Sequence, residues 1–206
     1  MTTPAEPVLL AQRPVQLRGS RIARALLRSA GWRVEFDGLP ARQGVIVVYP
    51  HTSNWDFVVG MLAKWAIGIH VTFWAKASLF RLPLVGAWMR SLGGVPVDRS
   101  APADIVVDMV ARMKAARDGD RFLWLALAPE GTRSRVHAWR SGFYRLALQA
   151  GVPLGLAHLD FAGRRVGIRT FLGLCGEPDA DMRAVAEALG WARGRRPQLA
   201  GPIDLP

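Results

Sequence analysis

The chain has 206 residues, of which half are hydrophobic and a fifth are charged. This length fits one domain with a buried core, and the composition excludes a disordered chain, a collagen-like repeat and a disulfide-stapled miniprotein. The net charge of +11 indicates an anionic partner, such as a lipid headgroup, a nucleic acid or a phosphorylated substrate. The single cysteine, Cys175, cannot form an internal disulfide, which favours a reducing, cytoplasmic environment.

Residues 1–31 are predicted to form a tail and a basic amphipathic helix. Four arginines within residues 16–32 recur at intervals of three and four: Arg18, Arg21, Arg24 and Arg28. This spacing places them on one helical face. Such a helix can lie in the headgroup layer of an anionic membrane, or it can be an ordinary surface helix with a solvated edge. The longest apolar segment, 57–75, is interrupted by Lys64 and His70, so we predict no membrane-spanning helix.

Residues 32–206 alternate between short apolar segments and helical patterns. The predicted strands cover residues 44–49, 71–75, 94–97, 122–128, 153–159 and 165–171. The predicted helices cover residues 55–67, 83–92, 103–117, 141–150 and 181–189. This alternation predicts a single α/β domain with a mostly parallel or mixed central sheet flanked by helices. In such sheets, functional residues are expected in the loops that follow the strands.

The loop after the first of these strands carries a histidine and a carboxylate. His51 and Asp56 are five residues apart, so on one continuous helix they would be separated by about 140°. They can meet only if His51 lies in the loop and Asp56 in the first helical turn, which Thr52, Ser53 and Asn54 favour as N-cap residue types. A carboxylate beside one imidazole nitrogen leaves the other nitrogen able to accept a proton from a substrate hydroxyl. A strand-to-helix turn without chemical function fits the same residues.

A second polar loop follows the strand at 122–128. Gly131 permits a close backbone approach, Thr132 offers a hydroxyl, and Arg133 offers a guanidinium that can bind a phosphate. Three further basic or imidazole side chains follow: Arg135, His137 and Arg140. Two more cations stand near the ends of predicted strands: Lys76 and Arg99. Taken one at a time, these residues are as typical of a solvated surface as of a binding site.

In their order along the chain, these motifs resemble those of the glycerolipid acyltransferase superfamily, typified by the 1-acylglycerol-3-phosphate acyltransferases. The motifs are the pair His51 and Asp56, Lys76 with Pro83 and Gly86, the segment 93–99, the run from Glu130 to Ser134, and the pair Val152 and Pro153. The resemblance covers about residues 32–160, and the ordered set is specific.

The resemblance implies an O-acyltransferase of phospholipid biosynthesis. It would move a fatty acyl group from acyl-CoA or acyl carrier protein to the hydroxyl of a lysophosphatidate-like acceptor. His51 would be the general base and Asp56 its orienting partner, with no covalent acyl-enzyme, no metal and no bound cofactor. The implied substrate-binding residues are Lys76, Arg99, Glu130, Gly131, Thr132 and Arg133, of which Arg133 matches the family arginine that binds the acceptor phosphate. The resemblance also implies peripheral association with the inner, cytoplasmic face of an anionic membrane, with residues 16–32 as the anchor.

Three positions depart from the family pattern and leave the acceptor open. Pro50 stands where asparagine is usual, Ala128 stands where an aromatic residue is usual, and residues 77–78 replace a common acidic residue. The acceptor can therefore also be another lysophospholipid, a lyso-aminolipid or a different hydroxylated lipid. A non-catalytic basic protein that binds membrane or nucleic acid would explain the charge but not the histidine–carboxylate pair. No recognised nucleic-acid-binding motif occurs, so no specific nucleic-acid partner is expected.

Overall fold

The computed structural model of the chain describes residues 6–97 and 102–206, without the side chains of residues 76, 102 and 103. Within this part of the chain, eight strands form one sheet. The strands are β1 (Val8–Leu9), β2 (Arg33–Phe36), β3 (Gln43–Tyr49), β4 (Val71–Lys76), β5 (Gly94–Val97), β6 (Leu123–Leu127), β7 (Leu154–Asp160) and β8 (Arg165–Gly173). Their order is β1-β8-β7-β3-β6-β4-β5, and β2 also pairs with β8.

Five neighbouring strands of this sheet, β7, β3, β6, β4 and β5, run parallel. β8 runs antiparallel to β7, which makes the sheet mixed, as predicted. The central strand, β3, is apolar along its length apart from Gln43, as expected for a strand that is covered on both faces. The carboxyl ends of β3 and β6 lie side by side because Val47 pairs with Leu127. The two motif loops therefore leave the sheet at the same edge.

Helices cover both faces of the sheet. They are α1 (Arg21–Ser29), α2 (Trp55–Ile67), α3 (Pro83–Ser91), α4 (Pro102–Asp118), α5 (Gly142–Ala150) and α6 (Pro178–Leu189), with single 3₁₀ turns at Ala77–Arg81 and Pro197–Leu199. Alternate residues of β3 point to opposite faces. Ile46 and Val48 pack on the side of α2, whereas Val45 and Val47 pack on the side of α4, α5 and α6. The predicted α/β architecture is confirmed.

Each strand and helix predicted within residues 32–206 is present, with ends shifted by at most three residues. Two strands were not predicted. β2 alternates charged and apolar residues and follows α1 directly, and β1 has two residues. Both owe their conformation to pairing with β8, which no local pattern reports.

The N-terminal helix is shorter than the predicted segment. It begins after Ser20, whose hydroxyl oxygen accepts the backbone N–H of Ala23 at 3.2 Å. Ala23 and Leu27 are buried against α2, and the guanidinium of Arg24 donates to the carbonyl oxygen of Ala66 at 3.0 Å. α1 therefore packs on the domain, and its role as a membrane anchor stays a prediction. No helix in the described ranges has both the length and the hydropathy that crossing a membrane requires.

Candidate active site

The structure brings His51 and Asp56 together at the carboxyl end of β3. His51 lies in the loop between β3 and α2, and Asp56 lies in the first turn of α2. The Oδ2 atom of Asp56 is 3.4 Å from Nδ1 of His51. Asp56 is buried, whereas a fifth of the His51 side chain is exposed. This is the loop-and-first-turn arrangement that their spacing requires.

The Asp56 carboxylate is held by the backbone of the loop it faces. Its Oδ2 atom accepts the N–H groups of Thr52 at 2.6 Å and Ser53 at 2.7 Å. Its position in the first turn of a helix further stabilises the negative charge. A carboxylate beside Nδ1 holds the imidazole proton on that nitrogen and leaves Nε2 with a lone pair. The pair is therefore arranged for Nε2 of His51 to accept a proton.

Glu130 connects the two motif loops. Its Oε2 atom accepts the backbone N–H of His51 at 2.7 Å, and its Oε1 atom accepts the backbone N–H of Gly201 at 2.9 Å. The side chain is buried, and this burial raises the pKa of the carboxyl group, although the two N–H donors oppose the shift. Because each oxygen accepts one backbone N–H, Glu130 helps to hold the His51 backbone in place.

The next three residues take different positions. Gly131 has a φ of +67°, and a Cβ atom there would lie 2.7 Å from Nε of Arg140, so the loop requires glycine. Thr132 and Arg133 are exposed and line a cavity beside His51. Lys76 ends β4 at the same edge of the sheet, but its side chain lies outside the described residues, as does the whole of Arg99.

Two cavities meet at His51, one on each side of the sheet. The first, which we name the α2 cavity, has a volume of about 510 Å³ and lies between α2, β4 and β6. Much of its wall is apolar: Phe57, Met61, Phe73, Leu79 and Met89. The second, which we name the α5 cavity, has a volume of about 530 Å³ and lies against α4 and α5. His51 lines both, so one imidazole can reach molecules from either side.

The α5 cavity carries positive charge that the sequence-based prediction did not assign to the site. Arg140 and Arg145 line it, together with Ser141 and the backbone of Gly131 and Gly142. The hydroxyl of Ser141 accepts a hydrogen bond from the guanidinium of Arg145 at 2.9 Å, one helical turn away. Arg140 was noted only as part of a basic surface. The i, i+4 spacing of Ser141 and Arg145 was the signal available for this contact.

Sequence reasoning also missed the C-terminal segment 193–206, which folds back onto the site. Gly201 donates to Glu130, and its carbonyl oxygen accepts the hydroxyl of Tyr49 at 3.2 Å. The backbone N–H of Arg196 donates to the hydroxyl of Thr52 at 3.2 Å. Each of these contacts joins a side chain near the site to a backbone group of a distant segment, and no sequence motif indicates such a contact. The described residues hold no cluster of three or more metal-ligating side chains.

Comparison with known proteins places these features in a family. The profile of the Acyltransferase family matches residues 32–155. A chloroplastic 1-acyl-sn-glycerol-3-phosphate acyltransferase of Brassica napus is 27% identical over 107 residues, which cover 50% of this chain and 30% of the relative. A chloroplastic 1-acyl-sn-glycerol-3-phosphate acyltransferase of Arabidopsis thaliana is 24% identical over 126 residues, which cover 60% of this chain and 35% of the relative. The chain thus spans about a third of the length of these relatives.

The fold also has a counterpart among solved structures. The 1-acyl-sn-glycerophosphate acyltransferase PlsC of Thermotoga maritima superimposes with a TM-score of 0.52 and 19% sequence identity, covering 81% of this chain and 73% of that one. This similarity shows a shared fold. The family match covers more than half of the chain and includes both the His51 loop and the Glu130 loop. The chain therefore belongs to the Acyltransferase family.

Proposed function

We propose that the protein is an O-acyltransferase of phospholipid biosynthesis that acts on a lysophosphatidate-like acceptor. The observation that carries this proposal is the position of His51. It lies beside the fixed carboxylate of Asp56 and between two cavities. A base that reaches two cavities suits a reaction in which a hydroxyl from one substrate attacks a thioester of another.

The proposed step uses His51 directly, without an acyl-enzyme. Nε2 of His51 accepts the proton of the acceptor hydroxyl while that oxygen bonds to the thioester carbonyl carbon. The resulting tetrahedral intermediate collapses, the carbon–sulfur bond breaks, and the imidazolium returns its proton to the leaving thiolate. Asp56 stabilises the imidazolium between these two transfers. The products are an ester and a free thiol.

The α2 cavity suits an acyl chain and an acceptor phosphate. Its inner wall is apolar, which favours a hydrocarbon chain over water. Thr132 and Arg133 line the same cavity and are exposed. A guanidinium can form two parallel hydrogen bonds to a phosphate monoester, so Arg133 is the proposed phosphate ligand.

The α5 cavity suits the polar part of the thioester donor. Both acyl-CoA and acyl carrier protein present a phosphopantetheine arm, whose phosphate Arg140 or Arg145 can bind. The acceptor and the donor then approach His51 from opposite faces of the sheet. We further propose that the reaction takes place at the cytoplasmic surface of an anionic membrane, which the net charge of +11 favours.

The test is thiol release from oleoyl-CoA or oleoyl-acyl carrier protein in the presence of lysophosphatidate. Wild type should release thiol only with acceptor and form phosphatidate. His51→Ala should lower kcat by about 10²–10⁴-fold because it removes the general base. His137→Ala is the matched control, since His137 is exposed and lines neither cavity.

Different results would reject the proposed acceptor and the proposed reaction. Turnover with other lysolipids but not with lysophosphatidate would reject the acceptor and keep the chemistry. No turnover by folded wild type, with either donor and any lysolipid of a panel, would reject acyl transfer itself.

A further inference from the structure

Helix α3 is apolar on both of its faces. On the inner face, Gly86 and Met89 are buried. A Cβ atom at Gly86 would lie 2.7 Å from the carbonyl oxygen of Phe80, so the helix packs closely on the preceding 3₁₀ turn. The outer face is also apolar, although a surface helix normally turns polar residues outward. Such a helix needs a second apolar environment on its outer side.

The outer face of α3 and the segment before it form an exposed apolar surface. We name it the α3 patch: Leu79, Leu82, Leu84, Val85 and Trp88. Leu84 is 88% exposed and Leu82 is 58% exposed, so neither side chain takes part in the core. Isolated exposed leucines are common, but a patch of five large apolar side chains on one short segment marks an interaction surface.

The charge around the patch indicates what it contacts. Two arginines in this segment are exposed: Arg81 lies between Leu79 and Leu82, and Arg90 follows Trp88. The guanidinium of Arg90 lies 5.3 Å from the ring centroid of Phe80, which keeps the charge beside the patch. No aspartate or glutamate occurs between Asp56 and Asp98. An apolar surface whose own segment carries positive but no negative charge is complementary to the headgroups and acyl region of an anionic lipid leaflet.

The α3 patch is continuous with the wall of the α2 cavity. Leu79 belongs to the patch and also lines the cavity. The buried Met89 of α3 lines the cavity too. The ring of Trp88 lies 6.2 Å from that of Phe57, which packs on Phe73 inside the cavity at 6.0 Å. A lipid that leaves the leaflet at α3 therefore meets the entrance of the cavity that holds His51.

We propose that the α3 patch inserts into the surface of an anionic membrane and turns the α2 cavity toward the lipid. The purpose of this arrangement, delivery of a lipid acceptor, rests on the proposed function. The binding of the α3 patch to lipid does not depend on the proposed function, because it is measured without turnover. α3 thereby replaces α1 as the main insertion surface. On α1, Ile22 is 75% exposed and Leu26 is exposed beside it, but the arginines around them favour headgroup contact over insertion.

The test compares two matched double variants in vesicle co-sedimentation. Leu82→Ser with Leu84→Ser removes two exposed leucines of the patch, and serine suits the N-cap position of Leu82. Ile22→Ser with Leu26→Ser removes the two exposed apolar side chains of α1. The probes are vesicles of phosphatidylcholine with phosphatidylglycerol and vesicles of phosphatidylcholine alone. Circular dichroism melting shows whether each variant is folded.

Wild type should bind the anionic vesicles and bind much less to phosphatidylcholine alone. The α3 variant should lose at least about tenfold in partitioning, and the α1 variant should stay within about threefold of wild type. Equal binding by wild type and the α3 variant would overturn the proposal, as would no binding by wild type. Sedimentation velocity tests whether the patch instead binds a second copy of the chain. A dimer that the α3 variant abolishes, with vesicle binding unchanged, would assign the patch to a second copy of the chain.

Discussion

The candidate site has two neighbouring parts that differ in their exposure to solvent. Asp56 and Glu130 are buried, and their carboxylates are engaged by backbone N–H groups of the His51 loop. Thr132 and Arg133 are exposed beside the α2 cavity. Because Glu130 and Arg133 are only three residues apart, one short loop contains both a buried carboxylate and an exposed guanidinium. The glycine between them, with its positive φ, makes the change of direction possible.

One sequence motif therefore contains residues with two different expected roles, positioning the base and binding the substrate. A buried carboxylate that accepts loop N–H groups fixes the base, so its loss should lower kcat. An exposed cation at a cavity mouth binds what enters, so its loss should raise KM. Substitutions in the two parts should therefore differ in which kinetic constant they change.

Asp56→Asn should give the largest effect of these substitutions. An amide cannot stabilise the His51 imidazolium as a carboxylate does, and we expect kcat to fall roughly 10²-fold or more with little change in KM. Asp181→Asn is the matched control. That carboxylate is also buried and accepts N–H groups and the Tyr144 hydroxyl, but it lines neither cavity. Equal kcat values for wild type and Asp56→Asn would remove Asp56 from the proposed mechanism.

Arg133→Ala should raise KM for lysophosphatidate by about 10- to 100-fold, the worth of one charge-assisted contact to a phosphate. An acceptor without a phosphate monoester should show a smaller change, which separates phosphate binding from a general effect. Arg135→Ala controls for the loss of a surface charge, since Arg135 is exposed and lines neither cavity. If KM rises equally for all acceptors, Arg133 is not the phosphate ligand.

Glu130→Gln should lower kcat by about tenfold and leave KM close to that of wild type. Glutamine offers one carbonyl oxygen, so it can accept from His51 or from Gly201 but not from both. The His51 loop then loses part of its support. Initial rates at saturating and limiting acceptor separate kcat from KM. A change confined to KM would place Glu130 with Arg133 rather than with Asp56.

The same variant should change how stability depends on pH. Because burial raises the pKa of Glu130 in the folded chain, this group contributes stability that is present below its usual value near 4.5. That contribution is lost as the pH rises through the folded pKa. The free energy of unfolding of wild type should therefore fall, relative to Glu130→Gln, between pH 4.5 and neutral pH. Urea titrations at both ends of this range measure it, and parallel pH profiles for the two proteins would contradict it.

Most of the fold could be predicted because its signals are local. β3 is a run of apolar residues, and α2 has the predicted bounds of Trp55–Ile67. The approach of His51 to Asp56 also follows from local geometry, since five residues at a strand-to-helix junction allow few arrangements. β2 was missed because Arg33 and Glu35 interrupt its apolar pattern, and its strand conformation depends on the edge of β8.

The remainder of the site depends on packing between distant segments. That Glu130 binds substrate stays a prediction. The contacts that the structure shows for it are to backbone N–H groups at positions 51 and 201. No composition or spacing reports such a contact. The two cavities likewise arise from side chains of several helices and strands. Their depth and lining follow from tertiary packing rather than from any linear pattern.

The contacts of segment 193–206 with residues beside His51 affect when the candidate site can form during synthesis. Tyr49 and Gly201, joined by a hydrogen bond beside the site, are separated by 152 positions along the chain. The ribosome delivers His51 and Asp56 well before Gly201, whose backbone N–H donates to Glu130. Contacts of such long sequence separation form late and slowly. A growing chain therefore carries His51 without this support until Gly201 has been added, and the candidate site cannot take its final form before then.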